Sequence, residues 1–396
     1  MRASFGLVLL LFAVGPSYGS AELSVQLELE YRNFFEQDLD PDKFDSSYSG
    51  SLQPELEGSF NEGNTYYEFV PFVRWDSEDE QRDHGDIREL NLVHVSGNWE
   101  TLLGISKVFW GVAESVHLVD IVNQTDYLEG FDGEDKLGQP MVRLSRAFDQ
   151  TTLDMFVLPG FREREFLSQN NPLSLPFPVS DDPIYESADG DDHVDYAVRF
   201  SGYKDIVDYG FSWFSGTSRD PDLVPGEAGV PVPFYPQINQ LGLDLQVTSD
   251  AWLWKLEAIH RMFRSSNTIS GDDYSAVVGG LEYTFFGMAD GLYDLGLLLE
   301  YHNDSRGQPT RVQFQNDLFL ATRFGFTDAE SSEVLAGMFL DLDDQSQAFR
   351  VEANRRVFGD ARVYVEAQVF SNMDPDNVGY HLRNSDFVRF SLELYF

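Results

Sequence analysis

Glu114, Asp120, Asn123 and Asp126 crowd into one polar run, Trp110-Gly111-Val112-Ala113-Glu114-Ser115-Val116-His117-Leu118-Val119-Asp120-Ile121-Val122-Asn123-Gln124-Thr125-Asp126-Tyr127. Carboxylates and an amide at this density can line a constriction that orients polar solutes. They can equally cap turns and fix a loop. Hydrolytic chemistry would need a Ser or Asp beside a His with an orienting group. His381 and Ser385 come closest, in His-Leu-Arg-Asn-Ser, but lack a Gly-x-Ser-x-Gly setting, and His84 and His193 have no catalytic spacing to an Asp. The reading is therefore not an enzyme, with no catalytic residues. Acidic clusters at Asp38, Asp40, Asp42 and Asp45, at Asp189, Asp191 and Asp192, and at Asp272 and Asp273 are oxygen-rich enough for Ca²⁺. The first lacks the Gly and terminal Glu of an EF-hand. Ca²⁺ at such external loops, bridging to lipopolysaccharide, is the one cofactor suggested, and the spacing predicts no dedicated metal site.

These residues must be held by elements whose period is two. Leu23, Val25, Leu27, Leu29 and Tyr31 alternate with polar neighbours, as do Leu241, Leu243, Leu245 and Val247, and Val388, Phe390, Leu392, Leu394 and Phe396. Segments of this kind fall near 22–35, 49–60, 65–75, 86–95, 98–109, 140–148, 151–159, 192–203, 207–216, 238–248, 252–264, 273–286, 291–302, 311–326, 331–342, 347–358, 360–371 and 382–396. Each suits the ~9–11 tilted residues of a membrane-crossing strand. The count is about 18, or about 16 if two weaker segments are loops. The gaps alternate between short (Asn61 to Asn64, Ser96 to Gly97, Gly359) and long (Gly111 to Gln139, Gly160 to Asp191, Thr217 to Gln237). Short periplasmic turns and long extracellular loops are the outer-membrane pattern. Phe60, Phe148, Phe286, Phe326, Phe358 and Phe396 end downward strands, Trp99 and Trp252 start upward ones, and Trp75 and Trp110 mark the opposite rim, giving two aromatic girdles.

The expected fold is all-β: a single transmembrane antiparallel up-and-down barrel over 22–396. If the apolar faces meet lipid, Gln26, Glu28, Glu30, Gln53, Glu55, Glu57, Glu68 and Glu89 point inward. So do Arg199, Lys255, Glu257, Arg261, Asp294, Glu300, Asp317, Arg323, Arg350, Glu352, Arg356, Arg362, Glu366, Arg389 and Glu393. A lumen this polar is expected to be wet. Its charges either set up a field across the pore or pair between neighbouring strands.

Composition narrows the classes. Arg2, an apolar run from Phe5 to Val14 and small Ser17, Gly19 and Ala21 form the pattern of a signal peptide over 1–21. The 396 residues hold no Cys, and 67 acids against 27 bases give a net charge of −40, which speaks against nucleic acid as a partner. No later stretch reaches the ~18 continuous apolar residues of a membrane helix.

The run 110–127 resembles a signature of outer-membrane barrels related to alginate-export and porin-like proteins: Trp-Gly, an acid, then Asp-x-x-Asn-Pro-x-Asp. Trp110, Gly111, Glu114, Asp120, Asn123 and Asp126 match, and Gln124 stands where that family has Pro. Pro140-Met141-Val142-Arg143 is similar to its return into the next strand. The resemblance implies a third external loop folded into the barrel, with Glu114, Asp120, Asn123, Asp126 and a facing Arg143 at a constriction. It implies a pore for passive diffusion of small polar or charged solutes. The alternative is a substrate-specific exporter or uptake channel for an anionic saccharide or organic acid, with Arg143, Arg199, Arg261, Arg323, Arg350, Arg356, Arg362 and Arg389 as a basic ladder. Outer-membrane lipid and the barrel-assembly machinery are the implied partners, with Tyr395 and Phe396 ending the strand that machinery reads. Classical porins are trimers and alginate-type exporters monomers, so either a monomer or a homotrimer fits.

Overall fold

Period-two alternation leaves every strand with one apolar and one polar face, and a chain of such strands hides both only by closing on itself. The computed structural model describes residues 20–35, 42–130, 132–265, 271–307 and 313–396. The segment 1–21 expected to be a signal peptide lies outside these, apart from Ser20 and Ala21, which open the first strand; Asp38 and Asp40 also lie outside. One 18-stranded antiparallel sheet forms the wall. Its strands are β1 Ser20–Phe34, β2 Ser46–Phe60, β3 Thr65–Asp76, β4 Gly85–Ser96, β5 Trp99–Ser106 and β6 Gln139–Ala147. They continue as β7 Thr151–Pro159, β8 Val194–Lys204, β9 Val207–Thr217, β10 Gln237–Ser249, β11 Trp252–Phe263 and β12 Tyr274–Gly287. The last are β13 Tyr293–Asp304, β14 Asn316–Phe326, β15 Glu333–Asp341, β16 Gln347–Phe358, β17 Ala361–Ser371 and β18 Phe387–Tyr395.

Every expected strand is present, and three of them are shorter at one end by three residues or more. β5 stops at Ser106, short of 109, because side chains take over the next backbone groups. The Glu89 carboxylate accepts from Lys107 N at 2.8 Å and Asn123 Oδ1 from Val108 N at 2.9 Å. β14 begins at Asn316, not 311. β18 begins at Phe387, not 382, because Val378–Leu382 winds into a 3₁₀ turn capped by Asn377, whose side chain accepts from Gly379 N. A second sheet of three short strands, Ile184–Tyr185, Asp222–Val224 and Val232–Tyr235, joins the two longest later loops.

β1 pairs with both β2 and β18, which closes the barrel. Arg32 stands opposite Arg389 and Leu27 opposite Leu394 along that seam. Beyond β18, Phe396 N donates to Val25 O at 3.0 Å and accepts at its own carbonyl from Val25 N at 3.1 Å. Deleting Phe396 removes this last pair and an exposed aromatic of the short-turn rim. It is expected to lower the yield of heat-modifiable folded barrel while the folded fraction conducts normally, read by gel mobility and planar-bilayer recording.

The surface is inverted relative to a water-soluble protein. Leu23 is 65% exposed, Leu103 58% and Phe390 48%, whereas Glu257 and Glu300 are fully enclosed. That distribution is stable only with the apolar face in lipid, and no helix among the described residues is long and apolar enough to cross a membrane. Phe60, Phe148, Phe286, Phe358, Phe396, Trp99 and Trp252 are exposed in a short-turn girdle, and Trp75 with Tyr48 faces out at the other rim. Trp110 departs from its expected place there. It is buried inside the barrel against Phe156, with the Arg199 guanidinium over its ring.

Candidate functional site

The segment between β5 and β6, residues 107–138, leaves the wall and packs within the barrel. Its apolar residues explain why. Trp110, Val119, Ile121 and Val122 meet Val93, Leu102, Met141, Phe156, Leu158, Ala197, Phe214, Ile238 and Ile259 of the wall in one core cluster. This corrects the expectation of a uniformly wet lumen. The inward faces of β4 to β11 carry apolar residues as well as charges, and the loop covers them. Burying each such side chain contributes ~1.5–3 kcal/mol.

The tip of the segment reaches strands far along the sheet. Glu257, on β11, accepts backbone hydrogen bonds from Val112 at 2.7 Å, Ala113 at 2.9 Å and Val119 at 3.2 Å. Glu300, on β13, accepts from Glu114 N at 2.8 Å, Ser115 N at 3.0 Å and the Ser115 hydroxyl. Gly111 adopts φ +143°, and a Cβ there would sit 2.9 Å from Glu257 Oε1, so this approach needs glycine. The Glu114 carboxylate then meets Arg323 at 2.5 Å and Lys255 at 3.4 Å. Asp132 meets Arg350, on β16, at 2.6 Å.

The other residues of the motif shape the loop from inside. Asp120 pairs with Lys136 at 3.2 Å and accepts from Trp110 N. Asn123 is buried, accepts from Val108 N and donates to the carbonyls of Ser106 and Leu137. Asp126 is buried and pairs with Arg88 at 2.6 Å. Gln124, in place of proline, donates to Arg219 O at 2.8 Å. Only Glu114 of the four is substantially accessible. Arg143 does not face them: it pairs with Glu100 across neighbouring strands at 2.5 Å.

Along the wall the arginines are mostly neutralised by neighbours. Arg199 grips Asp244 with both terminal nitrogens at 2.8 Å, Arg261 donates to Gln240, and Arg323 also meets Glu333 at 2.8 Å. Arg350 pairs with Glu352 and Glu366, and Arg389 with Glu366 at 2.8 Å. Glu28 pairs with Arg74 at 2.6 Å. Arg356 and Arg362 stand opposite each other near the short-turn rim. Glu22, Glu57 and Glu68 lie opposite one another on β1, β2 and β3 with Glu55 beside them, and none has an ion-pair partner among the described residues.

By sequence, the chain matches no protein-family profile and no curated protein. By fold, it superposes on OccAB1 of Acinetobacter baumannii with a TM-score of 0.58 at 9% identity, covering 95% of this chain and 96% of that chain. OccAB3 of the same organism gives 0.56 at 10% identity (95% and 99% covered), and OpdQ of Pseudomonas aeruginosa 0.53 at 12% (95% and 98%). The fold is that of an outer-membrane porin.

Two cavities adjoin the loop inside the barrel. One of about 920 Å³ is lined by Glu129, Asp135, Arg162, Arg164, Glu165 and Arg389 among others. The second, of about 580 Å³, includes His117, Asp120, Arg261, His302 and Arg350. Both reach Tyr127, Asp132, Arg164, Pro221, Gln313, Gly379 and Leu382, so those residues form the boundary between them. Arg164 lies 3.7 Å from the centre of the Tyr127 ring and has no carboxylate partner among the described residues.

The loop's electrostatics follow from enclosure. Burial, reinforced by the nearby Glu129 and Asp132 carboxylates, pushes Asp135 up to about 7. Burial alone would lower His117, but its hydrogen bond to Glu134 and the Glu257 carboxylate 3.9 Å away hold it up at about 9. Burial would raise Glu114, and the Arg323 and Lys255 cations overcome it and hold the carboxyl below its usual range. Glu257 and Glu300 were legible as inward-facing acids but not as loop receptors, because their partners are backbone N–H groups that carry no side-chain signature. Arg164 had no signal beyond its place in a long loop.

Proposed function

We propose that the protein is an outer-membrane pore for passive diffusion of small polar or charged solutes, with its path narrowed by residues 107–138. The observation that carries this reading is the set of hydrogen bonds from Glu257 and Glu300 to the loop tip, which hold backbone across the interior instead of over the rim. The lumen favours cations. Directly opposed like charges destabilise a sheet, yet Glu22, Glu57 and Glu68 stand in register with no guanidinium between them. A hydrated cation stream offsets that repulsion. Reconstitution into planar bilayers tests the reading: steady openings with a cation-favouring reversal potential are expected, and a barrel that never conducts overturns it.

A second reading, a channel selecting an anionic saccharide or organic acid, is supported by Arg164. Its guanidinium is fixed on an aromatic face at the boundary of both cavities and is free to donate. Under this reading Arg164→Ala lowers permeation of a small organic anion several-fold and leaves that of a neutral sugar of equal size unchanged, measured by liposome swelling. Equal change for both solutes excludes it.

A further inference from the structure

We propose that His84, Asp126 and Glu129 form a binding site for Zn²⁺ or a similar first-row divalent cation, cross-linking two external loops. His84 ends the β3–β4 loop; Asp126 and Glu129 belong to the 107–138 segment. One ligand atom from each lies within 4.8 Å of the others. The His84 Nε2 is 3.5 Å from Asp126 Oδ2 and 3.4 Å from Glu129 Oε1. Donors held ~2.0–2.1 Å from zinc at tetrahedral angles stand about 3.4 Å from one another. The two measured edges are those of such a polyhedron, and they are long for direct hydrogen bonds.

A second observation points the same way. The His84 side chain is only 10% exposed, and its Nε2 is enclosed with no hydrogen-bond partner. The other ring nitrogen, Nδ1, lies 3.1 Å from the Arg82 carbonyl. A carbonyl only accepts, so Nδ1 carries the proton and Nε2, directed at the two carboxylates, becomes the ligand when a cation displaces its proton. Metal-binding histidines are oriented in this way, by a carbonyl on the far nitrogen. The carboxylates are likewise fixed, Asp126 by Arg88 at 2.6 Å and Glu129 by Arg74 at 2.7 Å.

Those guanidinium groups do not satisfy the local charge. Arg74 also serves Glu28, and Arg88 and Arg162 share Asp86. Asp135 lies within electrostatic range of Asp126 and Glu129, and Glu165 within range of His84 and Asp126. Arg82, within electrostatic range of Glu129, is itself shared by Glu30 and Asp76, so carboxylates outnumber the guanidinium groups around the site, and a divalent ion offsets the excess. An imidazole donor selects against Ca²⁺ and Mg²⁺, which take oxygen. Three protein ligands leave a fourth position for water, and Glu129 and Glu165 both line the larger cavity.

The test uses the full barrel, purified in detergent and stripped with chelator, then titrated with Zn²⁺ against a chromophoric chelator in millimolar Ca²⁺ to occupy oxygen-only surface sites. One zinc per chain is expected, with X-ray absorption reporting a nitrogen in the shell at ~2.0–2.1 Å. His84→Ala and His84→Gln, each folded by heat-modifiable mobility, are expected to weaken binding by at least ~10–100-fold. No zinc retained under Ca²⁺, or zinc held equally by both variants, overturns the site. Either result leaves His84 as an imidazolium paired with the two carboxylates.

Discussion

Replacing Glu257 and Glu300 together by alanine is expected to raise single-channel conductance several-fold while the barrel still assembles. The two carboxylates accept from the backbone N–H groups of Val112, Ala113, Glu114, Ser115 and Val119. Each buried donor left without a partner costs ~1–3 kcal/mol, so the double variant makes the docked tip unfavourable by several kcal/mol. Water satisfies these groups once the tip lifts into the lumen. The rest of the segment stays anchored, because Val119, Ile121 and Val122 remain in the core cluster and Asn123 still binds the carbonyls of Ser106 and Leu137. The wall is untouched, since both side chains point inward and take no part in the ladder. Recordings of wild type, each single variant and the pair in one salt decide the matter. Unchanged conductance in a folded double variant would show that the tip does not limit the path. Glutamine at both positions is expected to give a smaller rise, because its amide retains one acceptor oxygen.

The wall was legible in the sequence because its rule is local. Leu241 to Val247 or Val388 to Phe396 declares a strand and its lipid face without reference to anything distant. Turn and loop lengths then set the topology. The interior obeyed a different rule. Val93, Leu102, Met141 and Phe156 point inward and look like exceptions to the alternation until the loop that buries them is in place. Trp110 was assigned to the rim because an aromatic at a strand end reads that way. Only its burial against Phe156 shows it to be the loop's root. Asp120, Asn123 and Asp126 were grouped with Glu114 by the motif that resembles the alginate-export and porin-like signature. Spacing does not distinguish a carboxylate facing a solute from one facing Lys136 or Arg88, which enter from other segments. Arg143 was set against them because Pro140-Met141-Val142-Arg143 is similar to that family's return into the next strand, yet the structure pairs it with Glu100.

Alkaline pH is expected to loosen the same tip through His117. This imidazole packs edge-on against Phe109 and hydrogen-bonds Glu134 at 2.9 Å, with Glu257 at 3.9 Å and Asp120 also within electrostatic range. The charged form is favoured by the fold, which lifts its pKa from 6.5 to about 9. A group raised in the folded state stabilises it fully below the unfolded value and loses that contribution as pH climbs through the folded one. The shift corresponds to about 3 kcal/mol at most, reduced by screening because the Glu134 side chain is 57% exposed. Conductance and open-channel noise should therefore be flat near pH 6 and rise through pH 9. Asp135, pushed up to about 7, titrates separately and lower. His117→Gln keeps a polar group of similar size but carries no charge, so it should remove the upper step and leave any step near pH 7 in place. A pH profile identical in wild type and His117→Gln would assign the alkaline change to another group and detach His117 from the loop's hold.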